Sequence, residues 1–142
     1  MEPHGRLRSI ALRPAAGDVR IVLNVTEASP RAPHPHGVTQ VALRCDDVEG
    51  AVAGLRARGV PMMRVPDNYY VDLDARFGLA PELLDQLRTH QLLYDRVGTG
   101  ELVHAFTQDL GTGFHVELLE RRGGYDGYGS ANTFVRLAAQ LG

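Results

Sequence analysis

Residues 101–120 read ELVHAFTQDLGTGFHVELLE, and this stretch decides the fold that the sequence predicts. Each half is rich in valine, leucine and phenylalanine, which favour strands. Between the halves, Gly111-Thr112-Gly113 is a turn signal. The sequence therefore predicts two neighbouring strands, Glu101–Thr107 and Phe114–Glu120, that pair as an antiparallel hairpin.

Two histidines and a glutamate recur at strand spacing within this hairpin. Because side chains alternate between the faces of a strand, His115 and Glu117 share one face, and His104 approaches them when the strands pair. On an exposed face such groups need no partner, so a solvated or structural role is the simplest alternative. On a concave face they must bind one another, a ligand or a metal. Two imidazoles and a carboxylate form the ligand set of non-haem iron oxygenases.

Hydrophobic spacing and turn residues predict the other elements, working outward from the hairpin. Asp46 and Glu49 resemble a capping box at the start of a helix that ends at Gly59. Pro66-Asp67-Asn68 indicates a turn. The remaining predicted elements are the strands Leu7–Arg13, Val19–Val25, Val38–Arg44, Val60–Val65 and Gln91–Arg96, the helix Pro81–Thr89 and a helix from Ser130 onward.

This order of elements predicts a single α+β domain over residues 1–142. An N-terminal hairpin at residues 7–25 is joined by a proline-rich linker, residues 26–37, to a complete βαβββ module at residues 38–121. A glycine-rich loop and a C-terminal helix follow in residues 122–142. The predicted architecture is a curled mixed sheet with helices outside. Because half a barrel exposes strand edges and an apolar face, we expect a homodimer.

Composition excludes several classes of function. The 142 residues carry a formal net charge of −2, and all 15 basic residues are arginines. Without lysine there is no Schiff base, no pyridoxal phosphate anchor and no Walker A phosphate loop. Because the arginines are scattered and aromatic residues make up only 6%, we expect no nucleic-acid partner. The lack of a long apolar run and the single cysteine, Cys45, predict a cytoplasmic protein with no membrane anchor.

Several blocks between His36 and Gln140 carry a resemblance to a known family. In chain order they are VALRCDDV (41–48), RGVP (58–61), VPDNYY (65–70), LYD (93–95), VELLER (116–121) and GYGSAN (127–132). Together they resemble the C-terminal catalytic half of 4-hydroxyphenylpyruvate dioxygenase, a member of the vicinal oxygen chelate superfamily. The resemblance is greatest to the dioxygenase-like domains that some bacteria fuse to sugar-phosphate-isomerase-like dehydratases. It implies a vicinal oxygen chelate fold for nearly the whole chain.

The resemblance also implies a metal centre, from which this chain departs. Family members bind Fe(II) with two histidines and one glutamate and act on a 2-oxo acid. Glu117 matches the glutamate, whereas Gln40 stands in the place of one histidine. The other histidine belongs to a segment upstream of the N-terminal hairpin that we expect this chain to lack. Glyoxalase I, in the same superfamily, uses glutamine and glutamate at the positions of Gln40 and Glu117.

Three alternatives follow from this departure. In the first, a divalent metal, Fe(II) or another transition metal, is bound by Gln40, Glu117, His104 and His115. It assists isomerisation, cyclisation or elimination of a small 2-oxo-acid-like, enolisable or aromatic metabolite in a bacterial biosynthetic pathway. In the second, the domain binds such a molecule without metal, or acts on it by acid–base catalysis through His104, His115 and Glu117. In the third, the chain is an Fe(II) dioxygenase fragment whose partner chain supplies the missing histidine.

The family's substrate pocket implies further site residues. The corresponding positions here are Thr39, Phe106 beside His104, Asn132 and Phe134. The loop Gly123–Gly129 is flexible enough to act as a lid, although its simpler role is to lead into the last helix.

Other conspicuous residues have simpler interpretations. Tyr69 and Tyr70 are expected to pack over the barrel edge. His34 and His36 lie in the proline-rich linker and are expected to be solvated, although His36 is close enough to Gln40 to be a displaced ligand.

Overall fold

The computed structural model describes residues 8–25, 37–111 and 113–141, which fall into two units divided after residue 36. In the first unit, β1 (Arg8–Leu12) pairs antiparallel with β2 (Ile21–Val25). Ser9 Oγ donates a hydrogen bond to Asn24 Oδ1 across the pair at 2.7 Å. The predicted N-terminal hairpin is thus confirmed. Residues 26–36 of the predicted linker, including its two histidines, lie outside the described residues.

The second unit is built on one four-stranded sheet. Its strands are β3 (Gln40–Arg44), β4 (Leu93–Val97), β5 (Gly100–Phe106) and β6 (His115–Arg122). Their order is β3-β6-β5-β4, with β3 parallel to β6 and the other two pairs antiparallel. The last three strands form a meander, and β3 joins it through a helical crossover. This is a βαβββ arrangement with β3 and β4 at its two edges.

Helices form the connections and the C-terminus of this unit. The described residues form α1 (Val48–Ala57), α2 (Asp67–Phe77), α3 (Pro81–His90), a 3₁₀ turn at Ser130–Asn132 and α4 (Thr133–Leu141). Within this part of the chain, no helix has the length and apolar character needed to cross a membrane.

The two faces of the sheet carry different residues. Register places Phe106 opposite Glu117, and His104 lies two residues from Phe106 on the same face, which we call the site face. Glu120 projects from the opposite face, where its Oε2 accepts a hydrogen bond from Val48 N of α1 at 3.1 Å. The hydrophobic core includes Val52, Leu73, Leu87, Leu92, Val103 and Leu118. Each such buried side chain contributes roughly 1.5–3 kcal/mol.

Helix α1 begins one residue later than the predicted capping box. Asp47, not Asp46, is the N-cap, and its Oδ1 accepts a hydrogen bond from Gly50 N at 2.9 Å. Glu49 closes no capping box, and its Oε1 lies 2.9 Å from His90 Nε2 of α3. The prediction was wrong because two successive aspartates are equivalent caps, and burial of the apolar helix positions decides which one begins the helix.

Helix α2 occupies a segment for which the sequence predicted a turn. Pro66 is its N-cap, with extended backbone at φ −69° and ψ 145°, and the helix then continues to Phe77. Tyr69, Tyr70 and Leu73 are its buried residues. The prediction was wrong because the aspartates and asparagine of this segment have weak helix propensity, whereas burial of the aromatic and leucine stripe stabilises the helix.

The predicted strand Val60–Val65 is reduced to one β-bridge between Met62 and Thr107. Pro61 has no N–H to donate to a strand ladder, which limits pairing in this segment. Gln91, predicted to begin a strand, instead ends α3 in the left-handed backbone region at φ 56°. The βαβββ module is therefore formed by β3, α1, β4, β5 and β6, with α2 and α3 inserted.

Candidate functional site

Glu117 is the centre of the candidate site, on the site face of β6. It is buried, with 7% of its surface exposed. Gln40 Nε2 of β3 donates a hydrogen bond to Glu117 Oε2 at 2.6 Å, and His104 Nδ1 of β5 lies 2.7 Å from Oε1. The strands on both sides of β6 thus hold one carboxylate oxygen each. A buried carboxylate requires hydrogen-bond partners of this kind, because burial without them is costly.

A chain of hydrogen bonds continues from His104 to Asn132 in the 3₁₀ turn. Asn132 Nδ2 lies 2.9 Å from His104 Nε2 and also donates to the backbone oxygen of Tyr94 at 3.1 Å. Asn132 Oδ1 accepts a hydrogen bond from the Tyr69 hydroxyl at 3.0 Å. His104 and Asn132 are 2% and 1% exposed, so this series of hydrogen bonds is shielded from water.

Tyr69 connects this series of hydrogen bonds to the edge strand β4. Its hydroxyl oxygen accepts a hydrogen bond from Tyr94 N at 2.8 Å, and the Tyr70 hydroxyl donates to Leu92 O at 3.2 Å. Burial raises the pKa of Tyr69 above its ordinary value, so the hydroxyl stays protonated and remains a donor. Both tyrosines therefore lie over β4 at the edge of the sheet: the Tyr69 hydroxyl bonds to the backbone of Tyr94 within the strand, and the Tyr70 hydroxyl to that of Leu92, the residue just before it.

Packing also fixes the imidazole of His104. Gly129 has φ 63° and lies so close that a Cβ there would come 2.9 Å from His104 Cε1 and 2.8 Å from Leu102 Cδ2. Phe106 packs edge-on against the imidazole, with ring centroids 5.3 Å apart. The ring is thus held by neighbours on its carbon atoms as well as on both nitrogens.

Arg136 of α4 is a residue of this region that the sequence analysis missed. Its guanidinium carbon lies 5.6 Å from the centroid of the Phe106 ring. Burial lowers the pKa of Arg136, and the negative charge of Glu117 acts in the opposite direction. A signal was present in the sequence, because Arg136 follows Asn132 by four residues, a spacing typical of one face in the helix predicted from Ser130 onward. In the structure α4 itself begins at Thr133.

The predicted site residues separate into two sets. The structure brings together Gln40, His104, Phe106, Glu117 and Asn132. The other set is His115, Thr39 and Phe134, and the hydrogen bonds of His115 lead away from Glu117. His115 Nδ1 lies 3.3 Å from Thr107 O, and His115 N donates to Thr39 O at 2.9 Å. Phe134 is 84% exposed. That any of these residues binds a substrate or a metal stays a prediction.

The glycine-rich loop Gly123–Gly129 is attached to the sheet through Tyr125. The Tyr125 hydroxyl donates to Asp95 Oδ2 at 2.5 Å and accepts from Gly129 N at 3.1 Å. Burial, together with the hydrogen bond to Asp95, raises the pKa of Tyr125 to about 12. This attachment favours the simpler of the two predicted roles, and it places Gly129 against His104.

The donor set fits a divalent metal only in part. The Glu117 carboxylate and the Gln40 amide oxygen are suitable oxygen ligands. His104, however, has both ring nitrogens in hydrogen bonds within the site. Across residues 8–25, 37–111 and 113–141, no group of three or more His, Cys, Asp or Glu side chains is arranged to hold a metal ion. Among the described residues, Gln40, Glu117 and His104 thus do not complete a three-ligand centre.

The sheet topology agrees with a family match over more than half of the sequence. The family profile described as Glyoxalase/Bleomycin resistance protein/Dioxygenase superfamily matches residues 1–86. The chain belongs to this superfamily and has its vicinal oxygen chelate fold.

Individual relatives confirm the resemblance to dioxygenase-like domains. The 3-dehydroshikimate dehydratase of Pseudomonas putida is 41% identical over an alignment of 146 residues. The alignment covers 97% of this chain and 23% of that protein. The 4-hydroxyphenylpyruvate dioxygenase of Pseudomonas aeruginosa is 33% identical over 135 residues, covering 89% of this chain and 38% of the relative.

A solved structure extends this similarity to three dimensions. It is described as a xylose isomerase-like TIM barrel/4-hydroxyphenylpyruvate dioxygenase fusion protein, and it superposes with a TM-score of 0.85 at 40% identity. The match covers 94% of this chain and 23% of the fusion protein. The chain thus spans less than half the length of each of these relatives.

Proposed function

We propose that this chain provides an enzyme site for a small oxo acid, with Glu117 as the group that accepts and returns a proton. The observation that carries the proposal is the attachment of the buried Glu117 carboxylate to Gln40 and His104, one donor to each oxygen. Burying an ion costs several kcal/mol, and removing one partner of a buried pair destabilises the fold by about 3–5 kcal/mol. A face that serves packing alone gains nothing from such a group, whereas a carboxylate held in one rotamer is preorganised for a ligand.

Arg136 supports an acidic ligand. Its guanidinium lies over Phe106, the residue paired with Glu117 in the sheet. Arginine recognises carboxylates through its planar fork of donors, and an aromatic ring packs well against an unsaturated or aromatic ligand. The names of two relatives supply acids of this class, 3-dehydroshikimate and 4-hydroxyphenylpyruvate, and each carries a ketone as well as a carboxylate.

The proposed chemistry begins with enolisation. A hydrogen on the carbon next to a ketone is acidic, and a base within hydrogen-bond reach removes it to leave an enolate. Glu117 accepts this proton. Return of the proton to a different carbon gives isomerisation. Departure of a hydroxyl group from the carbon next to the one that was deprotonated, with transfer to it of the proton held by Glu117, gives elimination of water and restores the carboxylate. Gln40 and His104 stabilise the carboxylate with which each cycle begins and ends.

A second candidate places a divalent metal at Gln40 and Glu117. The observation that favours it is the position of these two oxygen donors on adjacent strands, with β3 at the edge of the sheet. A metal bound there would polarise the ketone as a Lewis acid. The remaining ligands would come from a second copy of this chain, as in the predicted homodimer, or from a partner chain, as in the dioxygenase alternative.

The test follows exchange of the ligand's acidic hydrogens for deuterium by NMR. The full chain is mixed in D₂O with 3-dehydroshikimate or with 4-hydroxyphenylpyruvate, with and without a chelator. Glu117→Gln removes the base and is expected to slow exchange by about 10²–10⁴-fold. Glu120→Gln is the matched control, because it changes the same group on the same strand but on the opposite face.

Each outcome distinguishes between the candidates. Loss of exchange in Glu117→Gln alone, unaffected by the chelator, supports acid–base catalysis by Glu117. Loss of exchange on chelation, together with about one metal per dimer in elemental analysis, supports the shared metal site. Equal exchange in Glu117→Gln and Glu120→Gln contradicts both.

A further inference from the structure

We propose that Asn132 is a positioning residue that fixes His104 as the neutral imidazole with its proton on Nδ1. The proton is then donated to Glu117 Oε1, 2.7 Å away. This role differs from the substrate contact that the resemblance implied for Asn132. The inference deepens the proposed function and rests on it for the use that Glu117 makes of this hydrogen bond.

The orientation of the Asn132 amide is set by the backbone of Tyr94. One end of the amide lies 3.1 Å from the Tyr94 carbonyl oxygen, which only accepts hydrogen bonds, so this end must be the NH₂ group. The other end faces the Tyr69 hydroxyl at 3.0 Å, which suits the amide oxygen. The reverse orientation would place two oxygen atoms against each other in a site that excludes water.

The amide orientation in turn determines the tautomer of His104. The same NH₂ group has a second hydrogen, and Nδ2 lies 2.9 Å from His104 Nε2. Nε2 must therefore carry a lone pair, because a proton there would meet the hydrogen of the amide. A neutral imidazole carries one N–H, and it is consequently on Nδ1. Nδ1 faces the carboxylate of Glu117, so each donor meets an acceptor in the hydrogen bonds from Tyr94 O through Asn132 and His104 to Glu117.

Two hydrogen bonds and close packing hold the imidazole in one orientation. Rotation of the ring by 180° would exchange each nitrogen for a carbon atom and break both hydrogen bonds. Gly129 lies against Cε1, and Phe106 covers the ring edge-on. The position of Glu117 is therefore controlled from the edge strand β4, through Asn132 and His104, without a direct contact between Asn132 and Glu117.

The test reads the tautomer directly by long-range ¹H–¹⁵N NMR of the full chain, labelled with ¹⁵N. The His104 signals are assigned by their loss in His104→Gln. At neutral pH the wild-type ring is expected to show a protonated Nδ1 and an unprotonated Nε2. Protonated Nε2, alone or together with Nδ1, overturns the proposal. This readout needs no substrate, so it stays decisive even when the deuterium-exchange test of Glu117 fails.

Two variants separate positioning from folding. Asn132→Ala removes the donor to Nε2 and leaves Glu117 opposite Nδ1. We therefore expect Nδ1 to stay protonated and a protonated Nε2, which the wild type lacks, to appear in the spectrum. Tyr69→Phe removes a buried hydroxyl from the same cluster but leaves the Tyr94 carbonyl to orient the amide, so the Nδ1 tautomer should persist. A single Nδ1 tautomer in folded Asn132→Ala overturns the positioning role. If Asn132→Ala fails to fold, the wild-type spectrum still decides which tautomer His104 adopts. Tyr69→Phe then shows whether that tautomer depends on the Tyr69 hydroxyl.

Discussion

Gln40 Nε2 donates a hydrogen bond to Glu117 Oε2 at 2.6 Å, although 77 residues separate the two in sequence. The parallel pairing of β3 with β6 makes this contact, because it sets Gln40 opposite His115, two residues from Glu117. Glutamine at this position therefore has a use within the chain, as a donor that orients the carboxylate. A metal shared at Gln40 and Glu117 would give about one metal ion per dimer in elemental analysis.

Removal of this donor should lower stability. Gln40→Leu keeps most of the side-chain volume but deletes a hydrogen bond to a charged group, which contributes about 1.5–3 kcal/mol. We expect the free energy of unfolding, measured with urea, to fall by about 1–2 kcal/mol because Gln40 is only half-buried. Gln108→Leu, an exposed position just beyond β5, is the control and should change it by less than about 0.5 kcal/mol. Equal effects would contradict the stabilising role of Gln40.

Replacement of His104 by two different amides separates its two hydrogen bonds. Asparagine places its NH₂ group near the position of Nδ1, whereas glutamine places its amide near Nε2. His104→Asn therefore keeps the donor to Glu117, and His104→Gln loses it. We expect ligand deuterium exchange to be about 10- to 100-fold slower in His104→Gln than in His104→Asn, the equivalent of one charge-assisted hydrogen bond. The opposite ranking would show that the contact with Asn132 matters more than the contact with Glu117.

Local patterns in the sequence predicted part of the site. The alternation of side chains in residues 101–107 and 114–120 identified both strands and brought His104 towards Glu117, now seen at 2.7 Å. The contact needs only strand parity and a hairpin, both of which are local. His115 has the same parity, but its ring nitrogen lies near Thr107 O instead. Parity specifies a face, and it does not specify the direction of a side chain along the strand.

Contacts between distant elements were beyond such patterns. Tyr69 and Asn132 are 63 residues apart and meet only because α2 and the 3₁₀ turn both cover the edge strand β4. Helix α2 itself was missed, since its stability comes from burial in the folded unit and not from the propensities of its residues. The tautomer of His104 depends on this tertiary arrangement and has no signal in the sequence.

Alanine at Gly129 should disturb the site more than alanine at another glycine of the same loop. Gly129 and Gly124 both have positive φ, 63° and 78°, so both substitutions carry a backbone cost of about 1–2 kcal/mol. Only at Gly129 does a Cβ meet His104 and Leu102, which adds about 1–3 kcal/mol of overpacking. Urea unfolding should show this difference, and the His104 NMR signals should shift in Gly129→Ala alone. Indistinguishable variants would contradict the close approach to the imidazole.

Loss of Arg136 should weaken the binding of acids. Arg136→Gln removes the charge beside Phe106, and we expect at least a tenfold rise in the Kd for 4-hydroxyphenylpyruvate by calorimetry, about 1.4 kcal/mol. Arg88→Gln is the control, because Arg88 also lies over an aromatic ring, with its guanidinium carbon 5.6 Å from the centroid of Tyr70, but it belongs to α3. Added salt should weaken wild-type binding by screening the charge. An unchanged Kd in Arg136→Gln would remove the support for an acidic ligand.

The attachment of Tyr125 to Asp95 should make the fold sensitive to alkaline pH. Burial and the hydrogen bond to Asp95 raise the pKa of Tyr125 to about 12, from an ordinary value of 10.0. Below pH 10 both the folded and unfolded chains keep the phenolic proton, and the full stabilisation is present. Between pH 10 and 12 the unfolded chain releases this proton while the folded chain retains it, so the free energy of unfolding must fall as pH rises. Tyr125→Phe removes this contribution, so the free energy of unfolding, measured with urea between pH 10 and 12, should fall less steeply with pH than in the wild type. Tyr128→Phe, at an exposed tyrosine of the same loop, serves as the control. Parallel curves for Tyr125→Phe and the wild type would contradict the attachment.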